Sequence, residues 1–303
     1  MVSSTRFFTA LFIGAAVASP TLVSRAGVTP LPVEDIVRFR PYALLARAAF
    51  CSPAKLKEWS CGTACNDLPG MDVQDAGGDG VTAPGWFVGY YPELETVVVS
   101  NQGTDPREIT SSLTDADFVQ EPLDSGLFPG IDSSVQVHGG FKMSQAASAT
   151  EKLKAVEDLM GMYGASSVAL TGLGRGGAIS FIDALYLSLH LTNANITLVT
   201  HGMPRVGNQA FANYVDEHLR GVSRITNRKD PLPTQPGTNL GYVHSSGEKH
   251  IVSATGEWVA CAGQDNSDPQ CSAGDVPNIF EGDLRDNQGP YDDITIDGSA
   301  CDA

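Results

Sequence analysis

Ser167-Val168-Ala169-Leu170-Thr171-Gly172-Leu173-Gly174-Arg175-Gly176-Gly177-Ala178 is the stretch whose reading decides the fold. Its opening run is apolar, short and closed by glycine, the pattern of a strand buried on both faces of a parallel sheet. The glycines give way to Ile179-Ser180-Phe181-Ile182-Asp183-Ala184-Leu185-Tyr186, where apolar residues recur at helical spacing. A strand, a glycine-rich corner and a helix in direct succession place a tight turn at the carboxyl end of a strand. Ligands and reacting groups collect at that end of an open α/β sheet.

Two motifs compete for this corner. Gly172 and Gly176 are the framing glycines of a nucleophile elbow, Gly-x-Ser-x-Gly, but the nucleophile position holds Gly174. Gly172, Gly174 and Gly177 also match Gly-x-Gly-x-x-Gly, a dinucleotide fingerprint that is weak alone. That fingerprint needs an acidic residue at the end of the next strand to hold a ribose. The next strand, Ile196-Thr197-Leu198-Val199-Thr200-His201, ends without one, so no dinucleotide cofactor is expected.

Around the corner, strand-like and helix-like segments alternate, as in a mostly parallel α/β sheet flanked by helices. Pro32 to Ala49 reads as helix, with Pro41 splitting it. Trp86 to Tyr90 and Thr96 to Ser100 read as adjacent strands, after a glycine-rich turn at Gly77 to Pro84. Val135 to His138 reads as a short strand and Phe141 to Tyr163 as one long helix. Beyond the corner come a helix at Gln209 to Leu219, a strand at Val222 to Thr226, and a late hairpin from Tyr242 to Val252 and Trp258 to Cys261. An apolar fraction of 42% over 303 residues supports one sizeable core, and no repeat or linker divides the chain.

The first residues read as a secretory signal: Arg6 as the basic region, an apolar run from Phe7 to Ala18 too short to span a bilayer, and Ala16-Val17-Ala18 before Ser19. The expected organisation is therefore a signal peptide at 1–18 and a single domain at 19–303, secreted and without a transmembrane segment. The formal charge is −16, or −17 once Arg6 leaves with the signal. That sign argues against nucleic acid or an anionic membrane as partner.

Six cysteines in a secreted chain imply disulfides. Local spacing favours Cys61–Cys65 and Cys261–Cys271, leaving Cys51–Cys301 to tie the two ends together. A zinc site is a poor alternative, because no histidine lies near either close pair, and no metal is expected. Asn195-Ile196-Thr197 is a glycosylation sequon, abutting a strand.

With these segments in order, the chain resembles the fungal class 3 lipases, a secreted α/β-hydrolase family that includes feruloyl esterases. The likeness covers roughly Pro32 to Cys301. Val99-Ser100-Asn101-Gln102-Gly103-Thr104 is similar to the family's oxyanion loop, and Val137-His138-Gly139-Gly140-Phe141 to its next strand-to-helix corner. Gly202-Met203-Pro204-Arg205-Val206-Gly207-Asn208 with Phe211-Ala212 is close to the family's most distinctive run. Asn227 to Pro233 matches the loop of the catalytic aspartate, which falls on Asp230, and the three inferred cystines follow the family's pattern. The resemblance implies an α/β-hydrolase fold, oxyanion donors at Thr104 and the Arg175 N–H, and a short amphipathic lid at Ile109 to Phe118.

The departures fall on the chemistry. Active relatives have Gly-His-Ser-Leu-Gly-Gly where this chain has Gly172-Leu173-Gly174-Arg175-Gly176-Gly177. The resemblance puts their catalytic histidine at Asn287, in Asp286-Asn287-Gln288-Gly289-Pro290-Tyr291, and no histidine follows His250. Hydrolysis by this route needs an activated hydroxyl and a base, and loss of either costs on the order of 10⁶ in kcat. Asp230 alone of the triad remains, with Asn287 placed to donate an amide N–H to it. Arg175, in place of an apolar residue, is expected to fill part of the pocket or to pair with Asp230. A relocated nucleophile would have to come from Ser180, or from Ser245 or Ser246 beside His244, with His138 at the flank.

The function this implies is that of a catalytically degenerate lipase homologue whose cleft binds an acyl chain, an ester lipid or a protein partner. The alternative is a working lipase or esterase that hydrolyses carboxylic esters such as acylglycerols with a non-standard catalytic set.

Overall fold

The β-branched and aromatic runs of this chain have no apolar-free face, so they have to be covered on both sides. The computed structural model, which describes residues 27–79, 83–104 and 118–302, shows how that is met. Positions 1–18, and all of the lid segment except Phe118, lie outside the described residues. In chain order the strands are β1 (Val28–Pro30), β2 (Asp72–Gly77), β3 (Trp86–Tyr91), β4 (Thr96–Asn101), β5 (Gln120–Pro122), β6 (Gln136–His138) and β7 (Ser167–Leu173). They continue as β8 (Asn195–His201), β9 (Gly207–Asn208), β10 (Gly221–Asn227), β11 (Tyr242–Val243), β12 (Glu248–Ile251) and β13 (Trp258–Cys261).

Nine of them form one sheet in the order β1-β13-β12-β10-β8-β7-β4-β3-β2, and the other four a small sheet, β11-β9-β6-β5. The centre of the large sheet, β12-β10-β8-β7-β4, is parallel, and both margins are antiparallel. The longer helices are α1 (Arg40–Ala48), α2 (Gly139–Ala146), α3 (Ala149–Tyr163), α4 (Arg175–His190) and α5 (Gln209–His218). One core cluster joins α1 to the sheet through Leu45, Phe87, Ala169, Val199 and Ile225. The other joins α3, α4 and α5 to it through Val156, Leu170, Phe181, Ile182 and Phe211.

Several segments differ from the sequence reading. The long helix expected over Phe141 to Tyr163 is two, α2 and α3, because Ser148 leaves helical geometry (φ −134°, ψ 4°). The two strands of the expected late hairpin are β12 and β13, whereas Tyr242 and Val243 pair with β9 in the small sheet. The turn placed at Gly77 to Pro84 follows an unforeseen edge strand, β2, whose polar residues Asp72, Gln74 and Asp75 gave no apolar alternation. Pro41 does split the first helical segment, at a single 3₁₀ turn from Val37 to Phe39.

The three cystines are Cys51–Cys301, Cys61–Cys65 and Cys261–Cys271. The first spans 250 residues and ties the C-terminal segment to the end of α1. Glu248 lies within 4.8 Å of Cys261 and Cys271, but a disulfide occupies both sulfurs, so the trio is no metal centre. No helix among the described residues is long and apolar enough to cross a membrane.

Candidate functional site

The site is built where β7 ends and α4 begins. β7 pairs in parallel with β4 on one side and β8 on the other, so Gly172 stands beside Asn101 and Leu173 beside His201. The chain then reverses through Gly174, whose φ of 51° and ψ of −117° lie in a region that L side chains rarely adopt. The turn is tight enough to exclude side chains at both framing glycines. A Cβ on Gly172 would come within 2.5 Å of the Gly176 carbonyl carbon, and one on Gly176 within 2.2 Å of the Asn101 carbonyl oxygen. The elbow therefore keeps a backbone conformation that glycine adopts freely and that would strain a serine.

A buried polar cluster braces this corner from behind. Lys152 Nζ, on α3, donates to Asn101 Oδ1 and to Asp183 Oδ2, both at 2.7 Å. Asn101 Nδ2 donates to Ser180 Oγ (2.9 Å) and Asp183 Oδ2 (3.0 Å), and Ser180 Oγ donates to the Thr171 carbonyl (2.6 Å). Gln145 Nε2, on α2, donates to Asp183 Oδ1 (3.1 Å). The cluster holds β4, β7, α2, α3 and α4 in fixed relation, and with them the start of the loop that leads to Thr104. Sequence reasoning passed over Lys152 and Asp183, because single charges on helices usually face solvent.

The opposite wall comes from two loops. Asp230 follows β10, and Asn287 lies in a 3₁₀ segment, Leu284–Gln288. Both are buried, at 1% and 2% exposure. Asn287 Nδ2 donates to Asp230 Oδ2 (2.8 Å) and to the Gly202 carbonyl (3.0 Å), while the Leu232 N–H donates to Asp230 Oδ1 (2.9 Å). Burial pushes the Asp230 carboxyl up to about 8, against the downward pull of the Asn287 and Leu232 hydrogen bonds. A Cβ built on Gly174 would stand 3.6 Å from Asn287 Oδ1, so elbow, amide and carboxyl are contiguous. Asp230, Asn287 and Gly174 are thus brought together.

Arg175 departs from it. Its NH2 donates to Ser144 Oγ on α2 (3.0 Å), whereas the partners found for the Asp230 carboxyl are Leu232 and Asn287. The guanidinium thus reaches toward α2, where Ser144 accepts from it. The expected pairing of Arg175 with Asp230 is not formed.

The side chains considered for a relocated nucleophile are in structural use. Ser180 is buried in the brace, and the Ser245 hydroxyl donates at 3.4 Å to the Ser246 carbonyl. Ser246 Oγ donates to Asp216, and His244 Nε2 pairs with the Pro233 carbonyl. One further hydroxyl–imidazole–carboxylate chain exists. Thr226 Oγ1 lies 2.8 Å from His250 Nδ1, and His250 Nε2 lies 3.4 Å from Asp275 Oδ2. Thr226 and His250 are both buried between β10 and β12, which closes the hydroxyl to any substrate.

His201, at the end of β8, was read only as a strand end. It is fully buried, stands edge-on to the Tyr291 ring at 4.9 Å, and neither ring nitrogen has a partner among the described residues. Burial holds its imidazole down at about 3, so it is neutral.

A mostly parallel sheet with a glycine-framed strand-to-helix corner at its carboxyl edge, facing an aspartate on a later loop, defines an α/β-hydrolase. The family model described as Lipase (class 3) matches residues 98–240. The chain is 32% identical over 173 residues to a secreted mono- and diacylglycerol lipase of Malassezia restricta, covering 56% of this chain and 55% of that protein. The matched part thus spans about half the length of that relative. A secreted mono- and diacylglycerol lipase of Malassezia globosa is 27% identical over 302 residues, or 95% of this chain and 92% of its own. Rhizomucor miehei lipase in its propeptide complex superposes with a TM-score of 0.77 over 90% of this chain and 85% of that one. At 24% identity that likeness speaks for the fold alone. Together these likenesses support a place for the chain among the fungal class 3 lipases.

Proposed function

We propose that this chain is a secreted, lipase-fold binding protein that holds an acyl or ester lipid in its cleft without hydrolysing it. The observation that carries this reading is Gly174 at the elbow, with Asn287 on the carboxyl that would otherwise orient a histidine. Glycine has no hydroxyl to attack with, and an amide takes up no proton near neutral pH. What remains serves binding. In this reading the Thr104 and Arg175 N–H groups face the ligand carbonyl. Phe280, 94% exposed on a turn packed against Pro231, adds apolar surface beside the Asp230 loop. Secretion follows the relatives named as secreted and the signal read at 1–18, and Asn195 is exposed for a glycan.

The test is direct. The purified protein is incubated with a fluorophosphonate probe and with short- and long-chain p-nitrophenyl esters, and in parallel with a fluorescent acyl probe. The expected result is binding of the acyl probe with no labelled residue and no turnover. Stoichiometric labelling of any serine or threonine, with ester release, would instead support a working esterase with another catalytic set.

A further inference from the structure

The orientation of the Asn287 amide is fixed by its surroundings. Nδ2 lies between two acceptors, the Gly202 carbonyl at 3.0 Å and Asp230 Oδ2 at 2.8 Å. A main-chain carbonyl accepts only, so the atom facing Gly202 has to be the NH2 group. Oδ1 is thereby turned toward the elbow. Among the described residues no donor reaches it, although the residue is 2% exposed.

A Cβ on Gly174 would meet Asn287 Oδ1 at 3.6 Å and Leu232 Cδ1 at 4.0 Å, and apart from its chain neighbours no third atom of the described residues lies within 4 Å. Across that space lies the N-terminal turn of α4, which has no side-chain cap because the N-cap residue is Gly174 itself. A helix of 16 residues points main-chain N–H donors and the positive end of its dipole there. One acceptor therefore faces the N-terminal turn of a helix.

We infer that this gap seats a carbonyl carrying its own N–H or O–H donor: a primary carboxamide, or a protonated carboxylic acid, at the head of an acyl chain. The carbonyl oxygen accepts from the first turn of α4, and the N–H or O–H donates to Asn287 Oδ1. The inference rests on the lipid-binding reading above and narrows it to a head-group class. A simple ester has acceptors only, so it gives Oδ1 no hydrogen bond. A carboxylate likewise has no hydrogen to give and sets its charge against Oδ1.

The experiment compares three probes of one chain length, oleamide, oleic acid and methyl oleate, by displacement of a fluorescent acyl probe from the full secreted chain. Oleamide is expected to bind about tenfold more tightly than methyl oleate, the effect of one buried hydrogen bond made or left unmade. Oleic acid is expected to match oleamide only at pH values where it is protonated. Asn287→Leu should bring the amide-to-ester ratio close to one. Gly174→Ser should do the same by a different route, because its hydroxyl would donate to Oδ1 and fill the gap, and it decides the matter if Asn287→Leu does not fold. Equal binding of oleamide and methyl oleate by the parent, or a ratio unmoved in folded Gly174→Ser, overturns this inference and leaves the lipid-binding reading standing. Binding of none of the three overturns both.

Discussion

Asp230 receives an amide where the resemblance to class 3 lipases places an imidazole: Asn287 Nδ2 donates to Asp230 Oδ2 over 2.8 Å. A buried carboxyl that meets one amide and one main-chain N–H is poorly compensated as an anion, which is why its proton is held up to about 8. The Asp230–Asn287 pair is thus neutral through most of the acid range.

That carboxyl sets a pH dependence. Its folded pKa lies above its unfolded one, so between about pH 4 and pH 8 the folded state binds the extra proton and stability falls as pH rises. The full effect is on the order of 5 kcal/mol. Asp230→Asn keeps the shape and removes the ionisation, so its stability should be nearly flat over that window. Urea unfolding at several pH values checks this, and a variant as pH-dependent as the parent would assign the slope to other groups.

His201 works in the opposite direction. Its folded pKa, near 3, lies below the unfolded value, so the unfolded chain takes up the proton first and stability falls as pH drops from about 6.5 toward 3. His201→Phe keeps an aromatic ring against Tyr291 and removes two nitrogens that have no partner among the described residues. We expect it to raise stability at pH 5 by about 1–3 kcal/mol and to flatten the acid limb of the curve. An unchanged acid limb would mean that the imidazole is not the group being titrated.

The brace behind the elbow gives a third expectation. Lys152→Met leaves Asp183 buried with its ionic partner gone and should cost about 3–5 kcal/mol. Lys152→Met combined with Asp183→Leu should recover a large part of that loss, because no lone charge stays inside. A double variant no more stable than the single one would show that the Asn101 and Gln145 contacts, and not the charge, matter most. The comparison is read from denaturant midpoints.

Repair of the triad is the fourth. Gly174→Ser alone lacks a base and Asn287→His alone lacks a nucleophile, so both should stay near the activity of the parent. Together they should exceed the product of the single effects, since triad members act as a unit. The Arg175 guanidinium is engaged with Ser144, so no third substitution should be needed. Serine at φ 51° should lower stability by about 1–3 kcal/mol. Hydrolysis of p-nitrophenyl esters by all four proteins checks the scheme, and a folded double variant without activity would place the defect in the cleft beyond these two residues.

Much of this was legible in the sequence, and the reasons differ by element. The elbow could be read because Gly172, Gly176 and Gly177 sit where a strand and a helix must touch, which leaves few other residues possible. Asn287 could be placed from the order of motifs, and it lies on Asp230. The direction of Arg175 could not, because a long flexible side chain chooses among neighbours that only the fold assembles. Lys152 and Asp183 were hidden for the same reason: 31 residues apart, they meet only when α3 and α4 pack. The edge strand β2 was missed because its polar residues are stabilised by pairing with β3, a contact that hydropathy does not record.

The two walls of the cleft are built to different standards of rigidity. The wall carrying Asn101 and Gly174 is welded by ionic and main-chain bonds inside the core. The wall carrying Asn287 is a short 3₁₀ segment in an otherwise irregular stretch, hydrogen-bonded to the end of β10 and the loop after it through Asn227, Lys229 and Asp230 and anchored further on by Cys51–Cys301. A guest too large for the resting cleft therefore displaces the second wall and not the first. Breathing of the site is then a motion of the C-terminal segment on its tether, and cutting that tether would loosen the grip on a ligand long before it disturbed the elbow.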